Sequence, residues 1–259
     1  MLTAASAEWL EAFLRCDGLQ CLVTALRQMT APGQLAHLQD AVLVVNGAHC
    51  LRAVMNHQTG MHFIVHAPDD CVTDIVLSLD SHHLILKQHI WELLAAVCLY
   101  SPEGRARVVA ALESYAAVKA CRHRFSLLLQ ELMWLDAPPF YLLALVTFIN
   151  ALLSGEDFDA RLLLRRELVA LGLLEELSVL REHAADAALL HQLDMFALHH
   201  SEDWQEFLAA PVNLLDVHSL AQALWDRTCR RPYSDSLLSI MQLLLAIDGP
   251  EDTQQQVCA

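Results

Sequence analysis

Glycine and proline are scarce in this 259-residue chain, with eight of each. That is too few for the many tight turns of a β-sandwich. Charged residues make up only 18%, and basic ones are the scarcer kind: 16 Lys and Arg against 31 Asp and Glu, a formal charge of −15. Phosphate binding depends on clustered Lys and Arg, so this balance argues against nucleic acid as a partner. It suits a basic partner, or serves solubility alone. Long apolar runs are missing as well. The strongest, Leu142 to Leu153, is twelve residues long and contains Thr147 and Asn150. A spanning helix needs about 20 apolar residues, so no membrane span is expected. The amino terminus, Met1-Leu-Thr-Ala-Ala-Ser-Ala-Glu, lacks the basic region and apolar stretch of a secretion signal. A cytoplasmic protein is expected.

The motifs of common chemistry are also absent. There is no GxGxxG and no GxxxxGK[ST] for a nucleotide, and no GxSxG elbow to anchor a hydrolase triad. Fourteen histidines raise the question of a metal. His62 and His66 stand four apart, while His82-His83 and His199-His200 are adjacent pairs that point to different helix faces. No HExxH occurs, and no carboxylate is spaced to join His62 and His66 around zinc. The expectation is no metal, no cofactor and no catalytic residue. The eight cysteines, at 16, 21, 50, 71, 98, 121, 229 and 258, form no CxxC pair. They read as buried, reduced thiols rather than a secreted disulfide framework.

What is present is leucine, about one residue in five, within a 55% hydrophobic composition. Apolar residues recur at helical spacing almost throughout, as in Trp9, Leu10, Phe13 and Leu14. Breaks are expected at Pro32-Gly33, Pro68, Pro102, Pro138-Pro139, Gly155, Pro211 and Pro232. Ser101 before Pro102 and Glu103 has the composition of a helix start. Three segments are the most apolar of their neighbourhoods: Ala41 to Asn56, Ile85 to Tyr100 and Tyr141 to Gly155. A fourth, Leu237 to Ile247, comes near the end. Gly18-Leu19 with Leu26-Arg27 is echoed at identical spacing by Gly172-Leu173 with Leu180-Arg181. Units of roughly 40–47 residues with two or three helices are typical of armadillo and HEAT solenoids. One greasy helix per unit is what stacking requires, since neighbours cover it on both sides. The fold class expected is all-α.

The ordered residues from Cys50 onward narrow this further. Cys50-Leu-Arg-Ala-Val-Met-Asn56 is followed by Gly60, Leu79-Asp80 and Trp91-Glu-Leu-Leu-Ala-Ala-Val-Cys98-Leu-Tyr-Ser-Pro-Glu-Gly104. Then come Arg124-Phe125, Phe148-Ile-Asn-Ala151, Glu156-Asp157, Arg161, Arg165-Arg-Glu-Leu168 and Leu238-Ser-Ile-Met-Gln-Leu-Leu-Leu245. This set resembles the Diaphanous inhibitory domain of formins, the formin homology 3 region, with the inverted formins among the members it is most like. The likeness runs from Trp9 to about Ile247, so residues 1–259 are expected to form a single domain.

The resemblance implies an armadillo-repeat right-handed superhelix, an α-solenoid. Its concave groove would take an amphipathic autoregulatory helix from a formin tail, in cis or in trans. The positions matching the family's groove are Asn56 for the peptide backbone, Leu93, Ala96, Leu99 and Tyr100 for the apolar floor, and Thr147 with Asn150 for polar contacts. A Rho-family GTPase is the further partner implied. The helices that carry much of that contact are expected to be missing before Met1, which would weaken or abolish it. The dimerisation helices that follow in the family are expected to be missing too, implying a monomer. Actin would be reached only indirectly, through regulation of cytoskeletal assembly. The alternative is an unrelated helical-repeat scaffold with another peptide ligand.

Overall fold

The computed structural model describes residues 7–30, 38–66, 71–134, 136–155, 157–208, 216–228 and 234–245. The expected breaks at Pro32-Gly33, Pro68, Pro211 and Pro232 lie outside them. The chain divides into two compact units, Met1–His199 and His200–Ala259.

The first unit is a stack of helices in threes. The first set is α1 (Ala7–Arg15), α2 (Gly18–Thr30) and α3 (Leu38–Met55). The second is α4 (Gln58–His66), α5 (Cys71–Leu77), a 3-10 turn at Ser78–Asp80, and α6 (Leu84–Tyr100). The third is α7 (Pro102–Val118), α8 (Ser126–Leu132) and α9 (Pro139–Leu152), and the fourth α10 (Phe158–Ala170), α11 (Leu173–His183) and α12 (Ala187–Leu208). Equivalent helices pack on one another along the stack: α1 on α4 and α4 on α7, α2 on α5, α8 on α11, and α3 on α6 on α9. This is an armadillo-like helical solenoid. The expected all-α class is the one observed, and no strand occurs among the described residues.

The third helices of the second and third sets, α6 and α9, lie deepest. α6 is apolar over most of its circumference because α3 and α9 pack on it, with Lys87, Gln88 and Glu92 on the remainder. It buries Leu86, Ile90, Trp91, Leu94, Val97 and Cys98. The Trp91 ring packs on Phe148 of α9 with centroids 5.0 Å apart, and its indole N–H donates to the Tyr141 hydroxyl at 3.2 Å. Tyr141 donates onward to Glu131 at 2.7 Å, whose other oxygen takes Lys87 at 2.5 Å. Burial, with Glu131 beside it, pushes the Tyr141 phenol well above its usual range.

The first helices start with similar chemistry. Pro102 is the first residue of α7, and the Ser101 side chain accepts from the Gly104 amide at 3.0 Å. Asp157 accepts from Ala160 at 3.2 Å in front of α10. Ser101→Ala should therefore lower stability by about 1 kcal/mol, read as a shift of the urea midpoint at unchanged slope. The third residues of α4 and α7 are Gly60 and Gly104. A Cβ on Gly60 would lie 1.9 Å from the Val54 carbonyl oxygen, and one on Gly104 would lie 2.4 Å from that of Val97. The second and third sets thus close against the last turns of the preceding third helix, with glycine at the contact.

The echo between Gly18 and Gly172 also has a structural meaning. Gly18 opens α2, and Gly172, at φ 96°, precedes α11. Leu19, Leu26, Leu173 and Leu180 are all buried. Arg27 pairs with Asp74 of α5, and Arg181 with Asp194 of α12.

Two sequence expectations change here. The third helix of the fourth set is α12, not Leu237 to Ile247; it buries Leu189, Leu193 and Phe196 but is largely exposed, and His191 and Asp194 interrupt its apolar pattern. The Leu237 segment is α14 (Ser234–Leu245), which follows α13 (Val217–Thr228) in the second unit. Leu238, Ile240, Leu243 and Leu244 of α14 are exposed, so it is not a covered stacking helix. The cysteines change as well. The six described ones are free, but only Cys71 and Cys98 are buried, while Cys16 and Cys21 are exposed. Burial pushes the Cys98 thiol up to about 12.

Candidate functional site

The third helices present one long face to solvent. From α3 it carries Asn46, His49 and Arg52, and Asn56 stands in the turn just after it, exposed. α6 adds Gln88, Glu92, Ala96, Leu99 and Tyr100, α9 adds Thr147 and Asn150, and α12 adds Gln192.

The apolar part lies at the carboxyl end of α6. Ala96 is exposed, Leu99 is 62% exposed and Tyr100 36%. Leu99 is one of several large apolar side chains that this protein leaves open, Val118 and Leu163 among them, and one leucine by itself is unremarkable. Leu93 is placed differently. It is 4% exposed and belongs to the core, so it backs the floor from within. Three residues along a helix turn the side chain by about 300° in all, which leaves Leu93 and Ala96 on adjacent but distinct strips.

The polar positions separate in the same way. The Asn56 amide N–H donates to Arg52 O at 2.9 Å, ending α3, and its side chain stands at the surface. Thr147 is half-buried. Asn150 is half-buried, and its side-chain amide donates to both the backbone and side-chain oxygens of Gln192 at 2.9 Å. Asn150 therefore ties α9 to α12, and Gln192 is a residue that sequence reasoning missed. No local pattern marks a pair 42 residues apart.

A second group, also missed, sits on α3 and α6. The Glu92 carboxylate accepts from Gln88 at 2.8 Å and Arg52 at 3.2 Å, and faces the His89 ring at 3.3 Å. The His49 and His89 rings lie 4.9 Å apart. Glu92 is thus already matched within the protein. Any attraction of this face for a basic peptide rests on the overall charge of −15 rather than on a free carboxylate at its centre.

His62 and His66 share one side of α4, with ring centroids 4.4 Å apart. No group of three or more metal-ligating side chains occurs among the described residues. No helix among them is long and apolar enough to cross a membrane.

Comparison with known families decides what kind of module this is. The model of the Diaphanous FH3 domain matches residues 105–258, and that of the Diaphanous GTPase-binding domain matches residues 1–99. The chain belongs to the Diaphanous FH3 family. It is a regulatory domain of the kind found at the amino-terminal end of formins. Inverted formin-2 of Xenopus laevis is 36% identical over 255 residues, covering 97% of this chain and 23% of that protein. Disheveled-associated activator of morphogenesis 2 of Gallus gallus is 33% identical over 244 residues, covering 89% of this chain and 22% of its own length. This FH3 chain therefore spans less than a quarter of the length of these relatives. The crystal structure of E. histolytica Formin1 bound to EhRho1-GTPgammaS superimposes with a TM-score of 0.65 at 14% identity, over 80% of this chain and 71% of that one. That likeness establishes the shared helical fold.

Proposed function

We propose that this FH3 domain is a non-enzymatic interaction module that binds an amphipathic autoregulatory helix of a formin tail, in cis or in trans, in a concave groove made by its third helices. The observation that carries the reading is the exposed apolar end of α6, Ala96, Leu99 and Tyr100, on a helix packed against α3, whose following turn exposes Asn56. Leucines of an incoming helix would cover these residues in the manner of helix-in-groove recognition. Ala96 supplies a small side chain where the partner must come close. Asn56 offers an unburied amide for the partner's backbone, and Thr147 a hydroxyl further along. Asn150 acts through Gln192, holding the next repeat in place.

The match of residues 1–99 to a GTPase-binding domain model supports a second ligand, a Rho-family GTPase, at the amino-terminal side. The fold's likeness to a formin bound to EhRho1-GTPgammaS points the same way. By this reading the domain reaches actin only through the formin that it restrains, and it works in the cytoplasm.

The test is binding of a fluorescent autoregulatory peptide from an inverted formin at two salt concentrations. The expected result is a Kd at or below the micromolar range, with affinity falling as salt rises, because the overall acidic field is screened over about 8 Å at physiological ionic strength. A folded sample that ignores the peptide at both concentrations would overturn the assignment.

A further inference from the structure

Away from the third-helix face, the turn between α7 and α8 forms an open cavity of about 410 Å3. Its size falls in the roughly 300–1,000 Å3 range of small-molecule sites. Its polar lining is Glu113 from α7, Cys121, Arg122, His123 and Arg124 from the turn, and Glu167 from α10.

Local structure explains why these side chains converge. α7 ends with Ala120 in the left-handed region, at φ 52°. The Cys121 amide turns back to the Ala116 carbonyl at 2.8 Å, and that of Ala120 to Ala117 at 3.3 Å. This is a Schellman-type closure. It folds residues 121–124 against the end of the helix. Arg124 then bridges to α10, giving Glu167 two bonds of 3.0 and 2.5 Å. That ion pair fixes the far wall. Arg122 is exposed and appears in no ion pair with the carboxylates that line the cavity. The Cys121 thiol is half-buried and free.

We propose that this cavity is a thiol-modification site, at which Cys121 forms a mixed disulfide with a small zwitterionic thiol of the glutathione class. The wall carries both signs of charge, and so does the ligand. Arg122 would take a carboxylate and Glu113 the ammonium, orienting the ligand sulfur toward Cys121. The co-reactant is glutathione disulfide. The Cys121 thiolate attacks one sulfur of that disulfide, a new S–S bond forms, and the old one breaks. The second glutathione leaves as a thiolate and takes up the proton that Cys121 gave up. Cys121 is oxidised and the disulfide reduced, with no other reagent needed.

The exposed thiols Cys16 and Cys21 provide an internal control. If access alone governed the reaction, they would be modified before half-buried Cys121. The folded protein is incubated with glutathione disulfide, and adducts are mapped by mass spectrometry over time. A parallel series uses a neutral disulfide, hydroxyethyl disulfide. Cys121 is expected to react faster than Cys16 and Cys21 with glutathione disulfide and to lose that lead with the neutral reagent. Arg122→Ala should slow Cys121 about tenfold toward glutathione disulfide, equivalent to loss of one such charged contact. It should leave the neutral reaction unchanged, which also shows that the fold is intact. Equal or faster modification of Cys16 and Cys21 by glutathione disulfide would overturn the proposal, as would an unaltered Cys121 rate in the Arg122 variant.

Discussion

Gly60→Ala should cost this domain about 3 kcal/mol, the upper part of the range for forcing atoms into a packed contact. The new methyl would stand 1.9 Å from the Val54 carbonyl oxygen and 2.8 Å from its carbon, which are backbone atoms of a helix and cannot swing aside. Relief requires α4 to lift off the end of α3, and with it the contacts of α1 and α7 on α4. Gly104→Ala meets Val97 O at 2.4 Å and should be damaging to a smaller degree. Gly172→Ala provides the contrast. Its methyl would meet nothing closer than 3.9 Å, so only its φ of 96° is strained, at about 1 kcal/mol. Chemical unfolding of the three variants should rank them Gly60, Gly104, Gly172 in decreasing loss. A Gly60 variant no less stable than the parent would mean that the first helix of a set does not close on its predecessor as described.

The second large effect concerns binding. Ala96→Asp should weaken the autoregulatory peptide by about a hundredfold or more, as expected for a carboxylate desolvated at the centre of an interface without a partner. Because Ala96 is exposed in the free domain, the carboxylate is hydrated there and stability should stay within about 0.5 kcal/mol. Leu93→Ala on the same helix should do the reverse. Its buried side chain is part of the core, so truncation should cost about 2–5 kcal/mol of folding. Peptide titration alongside thermal unfolding separates the two. Full affinity in a folded Ala96→Asp variant would remove the end of α6 from the binding face.

The acidic balance of the chain has a related consequence. Glu92 is matched by Arg52 and Gln88, so the face is less acidic at its centre than the net charge suggests. Arg52→Ala would release that carboxylate for a basic partner, while loosening the tie between α3 and α6.

The sequence by itself determined the helices, their stacking period and the family. Each follows from local chemistry: apolar residues at helical spacing, Pro102 and Pro139 at first helical positions, Ser101 and Asp157 as caps. The greasy segments around Leu51, Leu94 and Val146 became α3, α6 and α9, and α6 is greasy on two opposite sides because α3 and α9 pack against it. That same property hid the site. Because leucines recur on several sides of α6, periodicity cannot tell Leu93 in the core from Leu99 in solvent. Only the packing of α3 and α9 against it does. Tertiary structure likewise decided that Gly60 and Gly104 touch backbone, that Asn150 serves Gln192, and that Arg52 engages Glu92. These contacts join residues 6 to 42 positions apart, across helices whose relative placement is set by the summed packing of the stack rather than by any local signal.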